Sequence, residues 1–369
     1  MEKNLKIERV ETTILRKPVN TRFGGSKYNY DVGGYLLTRV YTDDGLIGHA
    51  TTYFGLIASG MATVKQVIDC ELAPVLIGQD PHFVRALRRQ MHARIEYYGT
   101  TGVATMAISA LDTCCWDLIG KAANLPTAMV LGASRTSVPA YAMVGWYFEN
   151  GNQALVEHCV HAAEEGFSAV KIKVGRGSLE DDLSRIKAVR SALGDSYRIM
   201  VDANCAFDEL EALRRGYAYQ ELGVFWFEEP VAPHFKEAHA RLREKLHIPI
   251  AIGENYYTRY QFYDVIRSGC ADIIQPDNRR AGGVTEWMDI AAISEAAGLK
   301  LASHLGGSGN VNVMCAIDHV LYLECEGIKH DNEMLLYPLT MIDGEVQMPT
   351  APGMGNELKP DFIERYRVD

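Results

Sequence analysis

A short apolar run that ends in a charged residue recurs through the second half of this 369-residue chain. The runs are about 20 to 27 residues apart and end at Asp202, Glu228, Glu254, Asp277, His304 and Glu324. One strand, one helix and two short loops need about that many residues. Parallel strands that carry functional groups at their C-terminal ends and are separated by helices form a barrel with its site at the top. The repeat therefore predicts a parallel α/β barrel.

Two lysines lie inside an apolar stretch, residues 169–174, that precedes these runs. Side chains alternate along a strand, so Lys171 and Lys173 share one face while their apolar neighbours take the other. A buried strand does not carry two inward ammonium groups without partners for them. The alternative is an edge strand with one solvated face. A further strand predicted at residues 138–144, with Trp146 just beyond it at the barrel mouth, brings the number of barrel strands to eight.

The first part of the chain predicts a separate α+β domain. Residues 1 to about 60 have antiparallel strand patterns, and residues 61–125 have helical apolar spacing. We place the domain boundaries so that residues 1–132 form a capping domain, 133–325 the barrel, and 326–369 a segment that returns to the cap. The Gly-flanked stretch 22–30 is rich in aromatic residues and predicts a mobile lid. We expect Phe23 and Tyr28 of this stretch, together with Tyr53, to line the lid and contact substrate. The alternative is an ordinary β connection.

Composition excludes several classes of partner. A net charge of −10 argues against binding to nucleic acid or to an anionic membrane. The N-terminus has charges throughout and no apolar core of a signal peptide, and no apolar run approaches membrane-spanning length. The eight cysteines have no CxxC spacing and predict reduced thiols. We therefore expect a cytoplasmic protein without nucleic-acid or membrane partners, and we further expect it to be a homo-oligomer.

Three carboxylates at the ends of consecutive predicted strands indicate a metal site. Asp202, Glu228 and Glu254 would repel one another unless a cation lies between them. Oxygen-only ligation that leaves room for water and substrate suits Mg²⁺ better than Zn²⁺. Each carboxylate alone is more simply explained as a solvated loop residue, but three at even strand spacing favour the metal.

Other charged strand ends predict proton transfer. Two close ammonium groups beside a metal lower each other's pKa, so that a neutral lysine becomes available as a general base. His304 alone has the simple alternative of a core histidine, but Asp277 one strand earlier gives it a carboxylate partner. Glu324 would donate to a substrate oxygen if its surroundings raise its pKa, and it would otherwise be an exposed acid.

The ordered set of these motifs resembles the mandelate racemase subgroup of the enolase superfamily, along essentially the whole chain. The matching pieces are Lys171-x-Lys173, Asp202-Ala-Asn204, Glu228-Glu229-Pro230, Gly253-Glu254-Asn255, Gln275-Pro-Asp277, Gly282-Gly283, Ser303-His304, Glu324 and, in the capping domain, Asp43-Asp44-Gly45 and Asp112 to Lys121. The resemblance implies a modified TIM barrel, (β/α)₇β, under an α+β cap completed by the C-terminal segment. It also implies Mg²⁺ on Asp202, Glu228 and Glu254.

The resemblance further implies removal of the proton α to a carboxylate. Lys173 then serves one face of the α-carbon and the Asp277–His304 dyad the other, while Lys171 contacts the substrate carboxylate and Glu324 donates to it. Asn204 and Trp146 are expected in the substrate site. Arg279 and Arg280 either meet a second anionic group or face solvent, and we favour solvent.

Three functions are compatible with this pattern. The apolar lid favours racemisation or epimerisation of a 2-hydroxy acid, and the alternative is an acid-sugar dehydratase that uses the same residues. A barrel that binds a metal or ligand without turnover is the third. Lys173 and His304 argue against it, because binding alone needs no bases on two strands.

Overall fold

The computed structural model describes residues 5–53 and 58–368. The cap begins with three antiparallel strands, β1 (Ile7–Gly24), β2 (Asn29–Thr42) and β3 (Ile47–Tyr53). Its helical part consists of α1 (Ala58–Val67), a π-helical turn (Ile68–Leu72), α2 (Ala73–Leu76), a 3₁₀ turn (Pro81–Phe83), α3 (Val84–Ile95), a second 3₁₀ turn (Glu96–Tyr98), α4 (Val103–Ala122) and α5 (Thr127–Val130).

The barrel alternates strands and helices from residue 137 onward. In chain order it contains β4 (Ser137–Gly145), β5 (Tyr147–Phe148), α6 (Gly151–Glu164), β6 (Ala169–Lys173), α7 (Leu179–Leu193), β7 (Arg198–Asp202), α8 (Glu209–Gln220), β8 (Phe227–Glu228), α9 (Lys236–Lys245), β9 (Ile250–Ile252), α10 (Thr258–Arg267), β10 (Ile273–Ile274), α11 (Asn278–Ala281), α12 (Gly283–Ala296), β11 (Lys300–Ala302), α13 (Gly307–Cys315) and β12 (Val320–Cys325). Eight parallel strands pair in the order β4-β6-β7-β8-β9-β10-β11-β12, and β12 pairs back with β4. The predicted fold class is confirmed.

Helix α4 is the central helix of the cap. By length and composition it could cross a membrane, contrary to the expectation that no apolar run approaches that length. However, 89% of its most apolar window is buried inside the protein. The helix packs under the cap sheet and against the barrel, since Cys114 donates to the carbonyl of Thr38 and Trp116 donates to Thr285. It is therefore a core helix that joins the two domains.

The C-terminal segment runs back along both domains. It contains α14 (Ile328–Met334), β13 (Met341–Ile342), β14 (Glu345–Gln347) and α15 (Pro360–Tyr366). β14 adds to the barrel strand β4 as an antiparallel neighbour, and the amide of Val368 donates to the carbonyl of Ile14 in the cap. The segment thus ties the barrel to the cap strand β1.

The stretch predicted as a lid, residues 22–30, lies at the tip of the long hairpin formed by β1 and β2. We call residues 18–32 of this hairpin the arm. The ladder between β1 and β2 continues through it with a register irregularity between Pro18 and Phe23, so only residues 25–28 form the turn. Phe23 and Gly24 also pair with Phe148 and Tyr147 of β5. The arm therefore reaches the barrel as paired strands, where the sequence predicted a loop.

Candidate active site

The functional side chains follow chain order around the barrel mouth. Strands β6, β7 and β8 end in Lys173, Asp202 and Glu228. The loops that directly follow β9, β10 and β11 carry Glu254, Asp277 and His304, and Lys171 and Glu324 complete the set. We call these eight residues the mouth. Parallel strands place their C-terminal ends at one rim, so regular spacing in the sequence becomes proximity in space. The carboxylates of β7, β8 and β9 lie between Lys173 on one side and the dyad on the other.

The three predicted metal ligands come together. Asp202, Glu228 and Glu254 each offer one oxygen, and these oxygens lie within 4.8 Å of one another. Asp202 and Glu228 are buried, and Glu254 is partly buried. Three carboxylate oxygens at this spacing fit a hard divalent cation such as Mg²⁺. The structure is thus compatible with the predicted ligand set.

Two buried side chains donate hydrogen bonds to the middle carboxylate, Glu228. Its Oε2 accepts from Trp226 Nε1 at 3.1 Å and from Gln275 Nε2 at 2.9 Å. Burial, with the charges of the neighbouring carboxylates, raises the pKa of Glu228 to about 7 although Lys171 lowers it. Carboxylates crowded in this way are stabilised as anions when a cation binds between them.

A close backbone approach positions the third carboxylate. A Cβ on Gly253 would lie 2.2 Å from the carbonyl oxygen of Gln275, so only glycine fits beside this strand. Glu254 follows directly, and its Oε2 lies 3.1 Å from His304 Nε2. The glycine in the motif Gly253-Glu254-Asn255 therefore has a steric reason.

Both lysines are buried against the carboxylates. Lys171 Nζ lies 2.6 Å from Glu228 Oε1 and 2.7 Å from Glu324 Oε2, and Lys173 Nζ contacts Asp202 Oδ2. Burial lowers the pKa of Lys171, but Glu228 and Glu324 more than offset it and raise the pKa well above its ordinary value. The expectation that the lysines lower each other's pKa is therefore wrong for Lys171. It lies among carboxylates and remains a cation suited to hold a substrate carboxylate.

The ionisation state of Glu324 differs from the protonated state that would let it donate to substrate. Although burial opposes ionisation, the charges of Lys171 and His304 lower the pKa of Glu324 below its ordinary value. It accepts hydrogen bonds from Lys171 and from the hydroxyl of Tyr141. The condition for a protonated Glu324, a raised pKa, is not met, because two cations and a hydroxyl donor face it.

The predicted dyad is formed. His304 Nδ1 lies 2.9 Å from Asp277 Oδ2, which leaves Nε2 facing the carboxylate triad. Burial lowers the pKa of His304, but Glu254 and Asp277 raise it above its ordinary value overall. Despite burial, Arg279 and His304 hold the pKa of Asp277 well below its usual range. Asp277 is thus a fixed anion that orients and charges the imidazole.

Arg279 does not face solvent, contrary to the sequence-based preference. Its Nε and Nη2 donate to the two oxygens of Asp277 at 3.0 and 2.8 Å, and its side chain is 18% exposed. Arg280 is also largely covered and donates to the hydroxyl of Tyr257 at 3.1 Å. Asp277 provides a carboxylate two positions away for bidentate pairing with Arg279, which explains the inward orientation.

The expected substrate contacts take different positions. Asn204 lies at the mouth, where its amide N–H and side chain donate to Asp202 at 2.8 and 3.2 Å. Lys173 Nζ lies 5.0 Å from the ring centroid of Trp146, and Phe23 packs on the same tryptophan at 5.2 Å. By contrast, the side chain of Tyr28 is 52% exposed.

Arg176 anchors the arm and was not identified from sequence. It follows β6, and its Nη2 donates to the carbonyls of Gly25 and Tyr28 at 2.6 and 2.8 Å and to Asn29 Oδ1 at 3.1 Å. A Cβ on Gly25 would lie 3.0 Å from Asn204 Oδ1, so the arm passes close over the metal site. No local motif marks Arg176, because its partners lie about 150 residues earlier.

Comparison with known proteins assigns the family. Residues 154–362 match the model of the enolase C-terminal domain-like family, and residues 5–132 match the N-terminal domain of the mandelate racemase and muconate lactonizing enzymes. The chain belongs to the enolase superfamily. A racemase from Streptomyces coelicolor A3(2), solved with bound magnesium, superimposes with a TM-score of 0.93 at 33% identity over 98% of this chain and 100% of that one.

Other members of the superfamily are similarly related. An enolase from Bradyrhizobium, solved with magnesium and mandelic acid, gives a TM-score of 0.92 at 29% identity over the full length of both chains. The predicted Mg²⁺ cofactor is thereby confirmed. The chain is 34% identical to the 3,6-anhydro-alpha-L-galactonate cycloisomerase of Streptomyces coelicolor, over 98% of this chain and 99% of that protein. It is 32% identical to the arabinonate dehydratase of Saccharolobus solfataricus, over 89% of this chain and 90% of that protein.

Proposed function

We propose that this enzyme removes the proton α to the carboxylate of a sugar acid and expels the oxygen on the neighbouring carbon, giving a 2-keto-3-deoxy acid. The observation that carries the proposal is the order of groups around the mouth: Lys173, three carboxylates, then the Asp277–His304 dyad. A base and an acid on either side of a substrate held at the triad are what β-elimination requires.

In this reaction, neutral Lys173 takes the proton from C2. The electron pair of that C–H bond forms the C2–C3 double bond, and the C3–O bond breaks. Protonated His304 gives its Nε2 proton to the departing oxygen, and Asp277 keeps the imidazole oriented through Nδ1. The resulting enol tautomerises to the 2-keto acid.

The carboxylate end of the substrate meets the remaining groups. Asp202, Glu228 and Glu254 would hold Mg²⁺, which would supply Lewis-acid stabilisation of the developing negative charge. Lys171 adds a buried positive charge, and Glu324 with Tyr141 keeps Lys171 in position. These groups favour the reaction because they interact more strongly with the negative charge that develops as the proton leaves C2 than with the substrate.

Elimination is supported over racemisation by two considerations. The curated relatives described above are a dehydratase and a cycloisomerase. The cavity beside the mouth also carries buried hydroxyl and amide groups, among them Thr51, Asn278 and Asn356, which suit a polyhydroxylated substrate. Racemisation is the second candidate, since a similar structure is that of a racemase and the two bases flank the triad.

The decisive experiment follows products and α-proton exchange together. Sugar acids and a 2-hydroxy acid without a 3-oxygen are incubated with the Mg²⁺ enzyme in D₂O, with NMR for deuterium incorporation and semicarbazide for keto product. Turnover confined to sugar acids, with keto product, supports elimination. Racemisation of the acid that lacks the 3-oxygen contradicts it and supports the second candidate.

Two variants test the assigned roles in the same assay. Lys173→Ala should lose activity by about 10³-fold or more and should lose exchange as well. His304→Asn should lose elimination by about 10²–10³-fold yet retain exchange, because Lys173 is intact. The exposed Lys187→Ala is the matched control and should behave like wild type. Loss of exchange in His304→Asn equal to that in Lys173→Ala would contradict the separate roles.

We also propose a cytoplasmic location, because all eight cysteines are free, as a reducing compartment requires. The homo-oligomeric state expected from sequence stays a prediction.

A further inference from the structure

A cavity extends from the mouth under the cap. It has a volume of about 100 Å³ and begins at Glu324 and Arg279. The cap contributes residues 50–53 and part of α4, the barrel contributes residues 305–309, and the C-terminal segment contributes Asp331 and Asn356. We call it the cap cavity. Arg279, which pairs with Asp277, and Leu305, which follows His304, both line it. The cavity therefore adjoins the dyad side of the mouth and is positioned to receive the part of the substrate that lies beyond the departing oxygen.

Three residues that line the cap cavity carry buried polar atoms without a hydrogen-bond partner in the described structure. They are Thr51 Oγ1, Asn278 Oδ1 and Asn356 Oδ1. The orientation of Asn356 follows from its partner, since its Nδ2 donates to the carbonyl of His49 at 2.8 Å and its oxygen is left over. Unpaired buried acceptors are costly, so they indicate a missing donor. A substrate hydroxyl is such a donor, whereas a carboxylate is not.

The charges at the far side of the cap cavity disfavour an anion. Glu326 and Asp331 both line it. The nearby cation is His330, whose Nδ1 lies 3.3 Å from Asp331 and 3.9 Å from Glu326. Arg279, at the near side, is already paired in bidentate fashion with Asp277. Each cation described at this cavity thus has a carboxylate partner.

We infer that the substrate is a sugar monoacid whose far end is neutral and hydroxyl-bearing, and that Glu326 and Asp331 exclude diacids. The inference rests on the proposed function, since it takes the reacting carboxylate to lie at the triad. Substrate hydroxyls donate to the free oxygens of Asn278 and Asn356. A second carboxylate would instead meet two acids and acceptor atoms, with no cation left unpaired to receive it among the described residues.

The test compares acids that differ only at the far end. Aldonates of four to six carbons and the aldarates of the same configuration are assayed with the Mg²⁺ enzyme. The pH is about 8, because burial raises the pKa of Glu326 above its ordinary value. We expect kcat/KM for each monoacid to exceed that of its diacid by about tenfold or more, as a single unfavourable charge contact gives. Glu326→Gln should raise the diacid-to-monoacid ratio by about tenfold.

Controls separate this inference from the proposed function. Glu221→Gln, which removes an exposed carboxylate far from the cavity in sequence, should leave the ratio unchanged. If Glu326→Gln does not fold, Asp331→Asn is tested in its place, with the same expected rise in the diacid-to-monoacid ratio. Binding of the same acids to Lys173→Ala with Mg²⁺, measured by calorimetry, gives the preference without turnover.

The outcomes are distinct. Tighter binding of monoacids with no turnover of any acid by wild type supports this inference and refutes the proposed elimination. Turnover of diacids as good as that of monoacids, or failure of every monoacid to bind, overturns the inference. A diacid-to-monoacid ratio of kcat/KM that stays at the wild-type value in both Glu326→Gln and Asp331→Asn overturns the inference as well.

Discussion

The mouth and the cap cavity adjoin each other but satisfy their polar groups in opposite ways. In the mouth, Lys171, Lys173 and His304 each contact a carboxylate. In the cavity, Thr51, Asn278 and Asn356 each leave a buried atom without a partner. The mouth is a preorganised set of charges for a fixed reaction, whereas the cavity awaits groups that a substrate brings. The difference indicates that chemistry and selectivity are encoded by separate parts of this chain.

Arg279 lines the cap cavity and pairs with Asp277 of the mouth, so its substitution gives the largest expected effect on this separation. Arg279→Gln removes the bidentate partner of Asp277, so the dyad loses its anchor, and we expect kcat to fall about 10–100-fold. Arg279→Lys should recover part of the loss, because it keeps the charge but not the planar fork. Steady-state kinetics with a good substrate measure both variants.

A change confined to KM in Arg279→Gln would contradict the positioning role. It would show that Arg279 contacts substrate in the cavity and does not act through Asp277. The partial rescue by lysine is the internal control, since a purely steric role gives no reason for it.

Substitution of Arg176 tests whether the arm contributes to substrate binding at the mouth. Arg176→Ala removes three hydrogen bonds from the arm, so we expect KM to rise about threefold to tenfold while kcat changes less. The exposed Lys27 in the turn should become more sensitive to trypsin, because the arm opens more often. Arg89→Ala, at an exposed position on α3, is the matched control. Unchanged cleavage at Lys27 would show that β-pairing alone holds the arm.

The smallest expected effect concerns stability at the acidic side of the cavity. Burial lowers the pKa of His330, but Asp331 and Glu326 more than offset this and raise it to about 9. Protonated His330 therefore stabilises the fold fully below its ordinary pKa of about 6.5, and this contribution is lost as the pH rises through about 9. His330→Gln should show a smaller fall in melting temperature than wild type between these two pH values. Equal falls would contradict the assignment.

The mouth could be predicted from sequence because its signal is local. Asp202, Glu228 and Glu254 each end an apolar run, and a regular period gives their proximity once the barrel is assumed. Trp226 was within reach of the same reasoning, since strand alternation places it on the face of Glu228, to which it donates. The ionisation of Glu324 was not, because it depends on Lys171 and Tyr141 from two other strands.

The cap cavity could not be predicted in this way. Its lining joins Thr51, Asn278, Asp331 and Asn356, which are separated by most of the chain and lie in no shared motif. Arg279 was misassigned for a related reason: a charge next to a motif looks solvent-exposed until the carboxylate that faces it is known. The arm was predicted as a loop because its glycines suggest turns, whereas pairing with β5 extends the strands.

The circular order of the strands has a consequence for how such an enzyme changes. Each group from Lys173 to His304 lies at the end of a different strand, so the order of these groups along the sequence is also their order along an arc of the barrel rim. The proposed proton donor and acceptor stand at opposite ends of that arc, with the substrate lying across it. One substitution can therefore replace the group at a single position on the rim and leave the others in place. A reaction that transfers a proton at only one face of the α-carbon needs only one of the two end groups, Lys173 or His304.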